Sequence, residues 1–181
     1  MIKYVFPIVI GMVLVSCGNN NKTESDAEAP VEKTVSIEDS KYDLMDLSEF
    51  GLAAKIKVPN KSFTNSEPKA VLNETSGIIE ISSGNKFKLK VSETEIDKAL
   101  MVSDLKDDLL FKNTIKTDEE NLIVYTSELP DGSGSFDHFC AWLNVDGAMY
   151  LVQNDDQEKV SKHYLDRMID CVKTIQINGT L

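Results

Sequence analysis

The spacing of apolar and polar positions divides residues 42 to 177 into strands with a period of two and helices with a period near 3.6. "LAAKIKVP" reads as a strand ending at Pro59, and "GIIEIS" with "KFKLKVS" as a hairpin around Ser83-Gly84-Asn85. In the second arm Lys86, Lys88 and Lys90 alternate with Phe87, Leu89 and Val91, which predicts a half-buried strand with one wet face. "SETEIDKALMVSDLKDDLLF" then sets Ile96, Ala99, Leu100, Leu105 and Leu109 near helical spacing. Ser92 stands three residues before Glu95, a capping-box arrangement that predicts the start of that helix, with a break near Ser103 as an option.

Residues 112 to 117 and "NLIVYTS" predict two strands joined by the acidic turn Asp118-Glu119-Glu120. "FDHFCAWLNV" and "AMYLVQN" flank Asp146-Gly147, the composition of a two-residue hairpin turn. Both arms are apolar on both faces, so this pair is expected at the centre of the sheet, covered on each side. In "DQEKVSKHYLDRMIDCVKTIQI" the residues Val160, Tyr164, Leu165, Met168 and Val172 recur at helical spacing, and Asp155 before Glu158 predicts its N-terminal cap.

Strands joined by hairpins and interrupted by two helices predict an α+β fold, a mainly antiparallel sheet flanked by helices in one domain over 42–178. The order of elements resembles the PsbP-type α/β/α sandwich over residues 42 to 177. The resemblance implies an accessory or binding protein and transfers no functional residues.

Ahead of this domain the pattern changes character. One cation, Lys3, precedes an apolar run from Tyr4 to Val15, too short for the ~20 residues of a bilayer-spanning helix and ordered like a secretory signal. The run ends Leu14-Val15-Ser16-Cys17, which resembles the lipobox of bacterial lipoproteins. That resemblance implies removal of residues 1–16 and lipid on the Cys17 sulfur, with membrane attachment through the acylated N-terminus. Each buried methylene contributes ~0.8 kcal/mol, so two or three chains hold what one cannot. Residues 17–41, rich in Asn, Glu, Ser and Asp, lack the apolar area to offset ordering entropy and read as a tether. "SCGNNN" before a polar linker is similar to lipoproteins of the Bacteroidota type. In that group acidic residues after the cysteine go with export to the cell surface, so the resemblance, with Gly18, Asn19, Asn20 and Asn21 at these positions, implies an outer-membrane lipoprotein facing the periplasm. Residues 179–181 form a short tail.

The chain has 30 Asp and Glu against 19 Lys and Arg, a net charge of -11. That balance disfavours nucleic acid and anionic membrane surfaces as partners. An unknown protein or a small ligand remains, and a monomer is expected.

Candidate chemistry is sparse. His138-x-Cys140 puts an imidazole and a thiol on one face of a strand, with Trp142 next along it, and these three define a candidate pocket. A zinc ion there would recruit Cys171, but no CxxC or HExxH spacing accompanies the residues, and no metal or other cofactor is expected. With Cys17 taken by lipid, Cys140 and Cys171 either form a disulfide in an exported compartment or pack as free small hydrophobes. "PDGSGSFD", residues 130 to 137, lacks the spacing of a phosphate loop. The acidic groups Asp107-Asp108, Asp118-Glu119-Glu120 and Asp155-Asp156 lack the pattern of a calcium loop.

The reading these observations give is a lipid-anchored, non-catalytic binding or accessory module with no catalytic residues assigned. Two alternatives stand beside it. One is a thiol hydrolase using His138 and Cys140, and the other an acidic inhibitory or immunity-type lipoprotein that binds a basic partner.

Overall fold

In a computed structural model of the chain, residues 39–155 and 159–178 are described. The signal segment 1–16, Cys17, nearly all of the tether and the tail lie outside the described residues, as do Asp156 and Glu158.

Among the described residues, ten strands and three helices follow a short 3₁₀ turn at Asp39–Lys41. They are β1 (Tyr42–Asp46), β2 (Ala54–Pro59), α1 (Lys61–Thr64), β3 (Lys69–Asn73), β4 (Ile78–Ser83) and β5 (Phe87–Glu93). There follow α2 (Lys98–Asp107), β6 (Lys112–Glu119), β7 (Leu122–Glu128), β8 (Ser135–Val145), β9 (Ala148–Asn154), α3 (Lys162–Val172) and β10 (Gln176–Ile177). A second 3₁₀ turn, Ser48–Phe50, links β1 to β2.

Seven strands form one antiparallel sheet in the order β3-β4-β5-β9-β8-β7-β6, and β1-β2-β10 form a second, smaller one. The large sheet is two meanders joined where β5 meets β9, so the α+β class and its antiparallel sheet are as the sequence predicts. The 146–147 turn closes as expected. Asp146 and Gly147 both take positive φ, 53° and 86°, the backbone of a two-residue turn whose twist matches its strands. Asn144 Oδ1 accepts the Gly147 N–H at 3.2 Å.

Alternation sorts side chains onto two faces. Leu89, Val91, Phe139, Ala141 and Val152 face Leu165, Met168, Cys171 and Val172 of α3 and Ala54, Ile56 and Val58 of β2 in the main core. On the opposite face Ile123, Cys140, Trp142 and Leu151 gather under Met101, Val102 and Leu105 of α2. β8 and β9 are therefore covered on both sides, as their composition demands.

Two helix starts differ from expectation. Ser92 and Glu93 stay in β5, paired with Leu151 and Tyr150, and Asp97 caps α2 instead, accepting the Leu100 N–H at 2.8 Å. Two more ladder positions in a central sheet outweigh one capping bond, and α2 then runs to Asp107 without a break at Ser103. The packed face also differs from the predicted one, with Leu100 half-exposed and Met101, Val102 and Leu105 packing. Asp155 does not cap α3. Its carboxylate pairs with Lys90 at 2.9 Å, and Ser161 occupies the cap position.

Candidate functional site

His138, Cys140 and Trp142 do share one face of β8, the face beneath α2. All three are buried there. Cys140 is 1% exposed, Trp142 7% and His138 9%. The Tyr125 ring lies 5.1 Å from the imidazole, and the Trp142 indole N–H donates to the Ile96 carbonyl at 2.9 Å. Burial pushes the Cys140 thiol up to about 12, with a hydrogen bond to the Tyr125 side chain pulling weakly the other way. A thiol so protonated is a poor nucleophile at neutral pH.

Cys171 sits in α3, on the other side of the sheet, also fully buried and pushed up to about 12 by burial and then by the charge of neighbouring Asp170. Both thiols are free. Of the two alternatives, the packed free cysteine is the one the fold adopts, since one residue of spacing on β8 decides which face a side chain enters. The same separation removes Cys171 as a zinc ligand beside His138 and Cys140. Among the described residues no group of three or more His, Cys, Asp or Glu converges to hold a metal ion.

The other sequence features resolve into local structure. Residues 130 to 134 close on themselves, with Gly132 N–H donating to the Leu129 carbonyl, Leu129 N–H to the Gly134 carbonyl, and Asp131 accepting from the Ser133 N–H and hydroxyl. The Gly132 and Ser133 amides are thus spent internally. Asp108 accepts the Leu110 and Phe111 N–H groups, which with Asn113 hold its carboxyl below the usual range. Asp118 pairs with Lys98 and Glu119 with Lys173.

The more promising concavity lies on the α3 face, toward the β6 edge. A cleft of about 370 Å³ runs between α3 and strands β6 to β8. Its floor is apolar, formed by Leu122 and Val124 of β7 with Leu165 and Ile169 of α3. Its rim is charged. Lys162 and Asp166 pair along the helix, both carboxylate oxygens within 2.9 Å of the ammonium, and Lys173 reaches Glu119 at 3.3 Å. The hydrogen bond to Asp166, then its charge, hold Lys162 above the usual lysine range, and Asp137 adds a smaller contribution.

Strand β6 contributes through an irregularity. Ile115 opposes Tyr125 and Thr117 opposes Val124, leaving Lys116 as an extra residue in a β-bulge. Bulges re-aim side chains, and here both Lys116 and Thr117 line the cleft. Asp137 enters from β8, its Oδ1 accepting the Thr126 hydroxyl at 2.6 Å.

In the sequence pattern none of these residues groups into a site; Leu165 figures there only as part of a helical stripe and Glu119 only as part of an acidic turn. The α3 stripe Lys162, Leu165, Asp166, Ile169 and Lys173 is legible as spacings of three and four, but its facing partners come from a bulge that only strand pairing reveals. Comparison of the chain with known protein families, with curated proteins and with solved structures finds no match.

Proposed function

We propose that the protein is a lipid-anchored lipoprotein of the bacterial envelope whose folded domain is a non-catalytic binding module, with the cleft between α3 and β6 to β8 as its ligand site. The single observation that carries the binding role is the composition of that cleft, an apolar floor inside a charged rim. Ligand sites combine apolar lining with a few placed polar groups in this way. The anchor rests on the Leu14-Val15-Ser16-Cys17 motif, and the accessory role agrees with the resemblance to the PsbP-type sandwich. The thiol-hydrolase alternative has the weaker support, because His138 and Cys140 lie under α2 with a thiol held protonated.

The anchor is tested by Cys17→Ala, which should move the protein from the membrane to the soluble fraction and abolish incorporation of labelled palmitate. The cleft is tested by thermal-shift screening of the full chain against a metabolite library. Stabilising compounds should lose their effect in Thr117→Trp, which fills the cleft from a strand position that tolerates aromatics. Stabilisation unaffected by that variant would remove the cleft from the reading.

One observation favours the acidic, partner-binding alternative. Leu109 and Leu110 stand 95% and 72% exposed just beyond α2, a few residues after Asp104 and Asp107 in the chain. Adjacent apolar side chains so presented mark interaction surfaces. Salt-sensitive binding to a basic envelope protein, lost in Leu109→Ser with Leu110→Ser, would support that reading over the cleft.

A further inference from the structure

The charges of the cleft do not all cancel internally. Of the six charged side chains that line it, Lys162 is held by Asp166 and Lys173 by Glu119. Two remain. Asp137 is half-buried and has the Thr126 hydroxyl as its hydrogen-bond donor, with no cation within ion-pair distance among the described residues. The side chain of Lys116, placed by the bulge, makes no ion pair or hydrogen bond among the described residues.

The two lie on opposite sides of the apolar floor. Asp137 is on β8 and Lys116 on β6, with β7 between them. Two interstrand steps of ~4.8 Å put their strands on the order of 10 Å apart. An occupant complementary to this arrangement carries a cation at one end, an anion at the other and an apolar body between. A lone anion would leave Asp137 without a partner at ion-pair distance, and a lone cation would leave Lys116 without one. An extended peptide covers ~3.3 to 3.6 Å per residue, so two or three residues match the separation of the two strands.

We propose that the cleft binds a peptide of two or three apolar residues with free termini, its ammonium group on Asp137 and its carboxylate on Lys116. This rests on the reading of the cleft as a ligand site and gives that site a ligand class. Of the remaining rim pairs, Lys173 with Glu119 walls the cleft, while Lys162, bonded to Asp166, also feels the charge of Asp137 and shares the field of that carboxylate with the incoming ammonium. Recognition of both ends sets a length, and the floor of Leu122, Val124, Leu165 and Ile169 sets a preference for apolar side chains.

The test is calorimetric titration of the full chain with leucyl-leucine and trileucine, alongside their N-acetylated and C-amidated forms and free leucine. Expected is binding of at least one free peptide, weakened about tenfold or more by either cap and absent for leucine, the size expected for losing a charge-assisted hydrogen bond. Asp137→Asn keeps the bond from Thr126 and should weaken the free peptide while abolishing the penalty for acetylation. Lys116→Gln should do the same for amidation. Because Lys116 is exposed and Asp137→Asn is nearly isosteric, circular dichroism of both variants should match the parent. Capped peptides binding as well as free ones would overturn the assignment. So would silence of every peptide while other compounds, among them zwitterionic phosphoesters, stabilise the protein and are lost in Thr117→Trp. In that last case the binding-module reading survives and only the ligand class falls. If neither peptides nor library compounds bind, both fall.

Discussion

The indole N–H of Trp142 donates to the carbonyl of Ile96, 46 residues earlier in the chain, at 2.9 Å. This bond fastens the segment entering α2 to the inner strands of the sheet. It matters because α2 holds on weakly, with none of its residues buried and Met101, Val102 and Leu105 only half-covered. Trp142→Phe keeps most of the apolar contact and removes the donor. It should destabilise the fold by about 1 to 3 kcal/mol, the cost of an unpaired, part-buried carbonyl plus a small packing defect. The midpoint of urea unfolding followed by circular dichroism measures this, since the variant has no tryptophan for fluorescence.

The two free thiols should make stability fall at alkaline pH. Burial raises Cys140 and Cys171 from 9.0 to about 12 each, so between those values the folded chain holds protons that the unfolded chain has released. Fewer protons on the unfolded state means that unfolding free energy declines as pH rises, by up to ~1.4 kcal/mol per pH unit for each thiol. Their contribution is complete below pH 9 and is lost toward 12. The double variant Cys140→Ala with Cys171→Ala should start from a lower stability, because each leaves a small cavity, yet show a flatter alkaline arm. Urea midpoints at pH 7, 9 and 10 compare the slopes. Alkylation of either thiol in the native protein at pH 8 faster than the unfolding rate would contradict the placement of both.

Much of the sheet was legible because its strands obey rules that act within a few residues. The alternation of Phe87, Leu89 and Val91 with lysines, and the Asp146-Gly147 turn, fix local geometry whatever lies across the core. The weaker strands β1 and β3, whose residues are mostly exposed, carry no such pattern and exist through pairing with β2 and β4. The start of α2 misled for the opposite reason. Ser92 and Glu95 make a good local cap, but the β5–β9 ladder claims Ser92 first. At the candidate site, the shared face of His138 and Cys140 followed from period two, while its closure by α2 did not. The cleft depends on which face α3 covers and on the register shift at Lys116, both set by contacts distant in sequence.

Asn154 ties the end of β9 to the start of the cleft. The β8–β9 ladder ends with Cys140 opposite Gln153, and beyond it the Asn154 carboxamide takes the place of a further strand residue. Its Oδ1 accepts the Phe139 N–H at 2.9 Å, and its Nδ2 donates to the carbonyls of Asp137 and Asp155 at 3.4 and 3.2 Å. The residue is 2% exposed, so these groups have no water to fall back on. Asn154→Leu conserves shape and strands a buried N–H, and should cost about 2 to 4 kcal/mol. Asn154→Asp should cost more at pH 8 than at pH 5. Its carboxylate still accepts from Phe139 but cannot donate to the two carbonyls, and burial raises its folded pKa above the unfolded value near 3.9. The folded state then binds a proton more tightly than the unfolded state, so stability returns as pH falls through the folded pKa, when the protonated oxygen regains one donor. Urea midpoints at the two pH values, each taken relative to the parent, decide it. A penalty for Asn154→Asp that does not shrink on acidification would mean that the carboxamide is not held between Asp137 and Phe139.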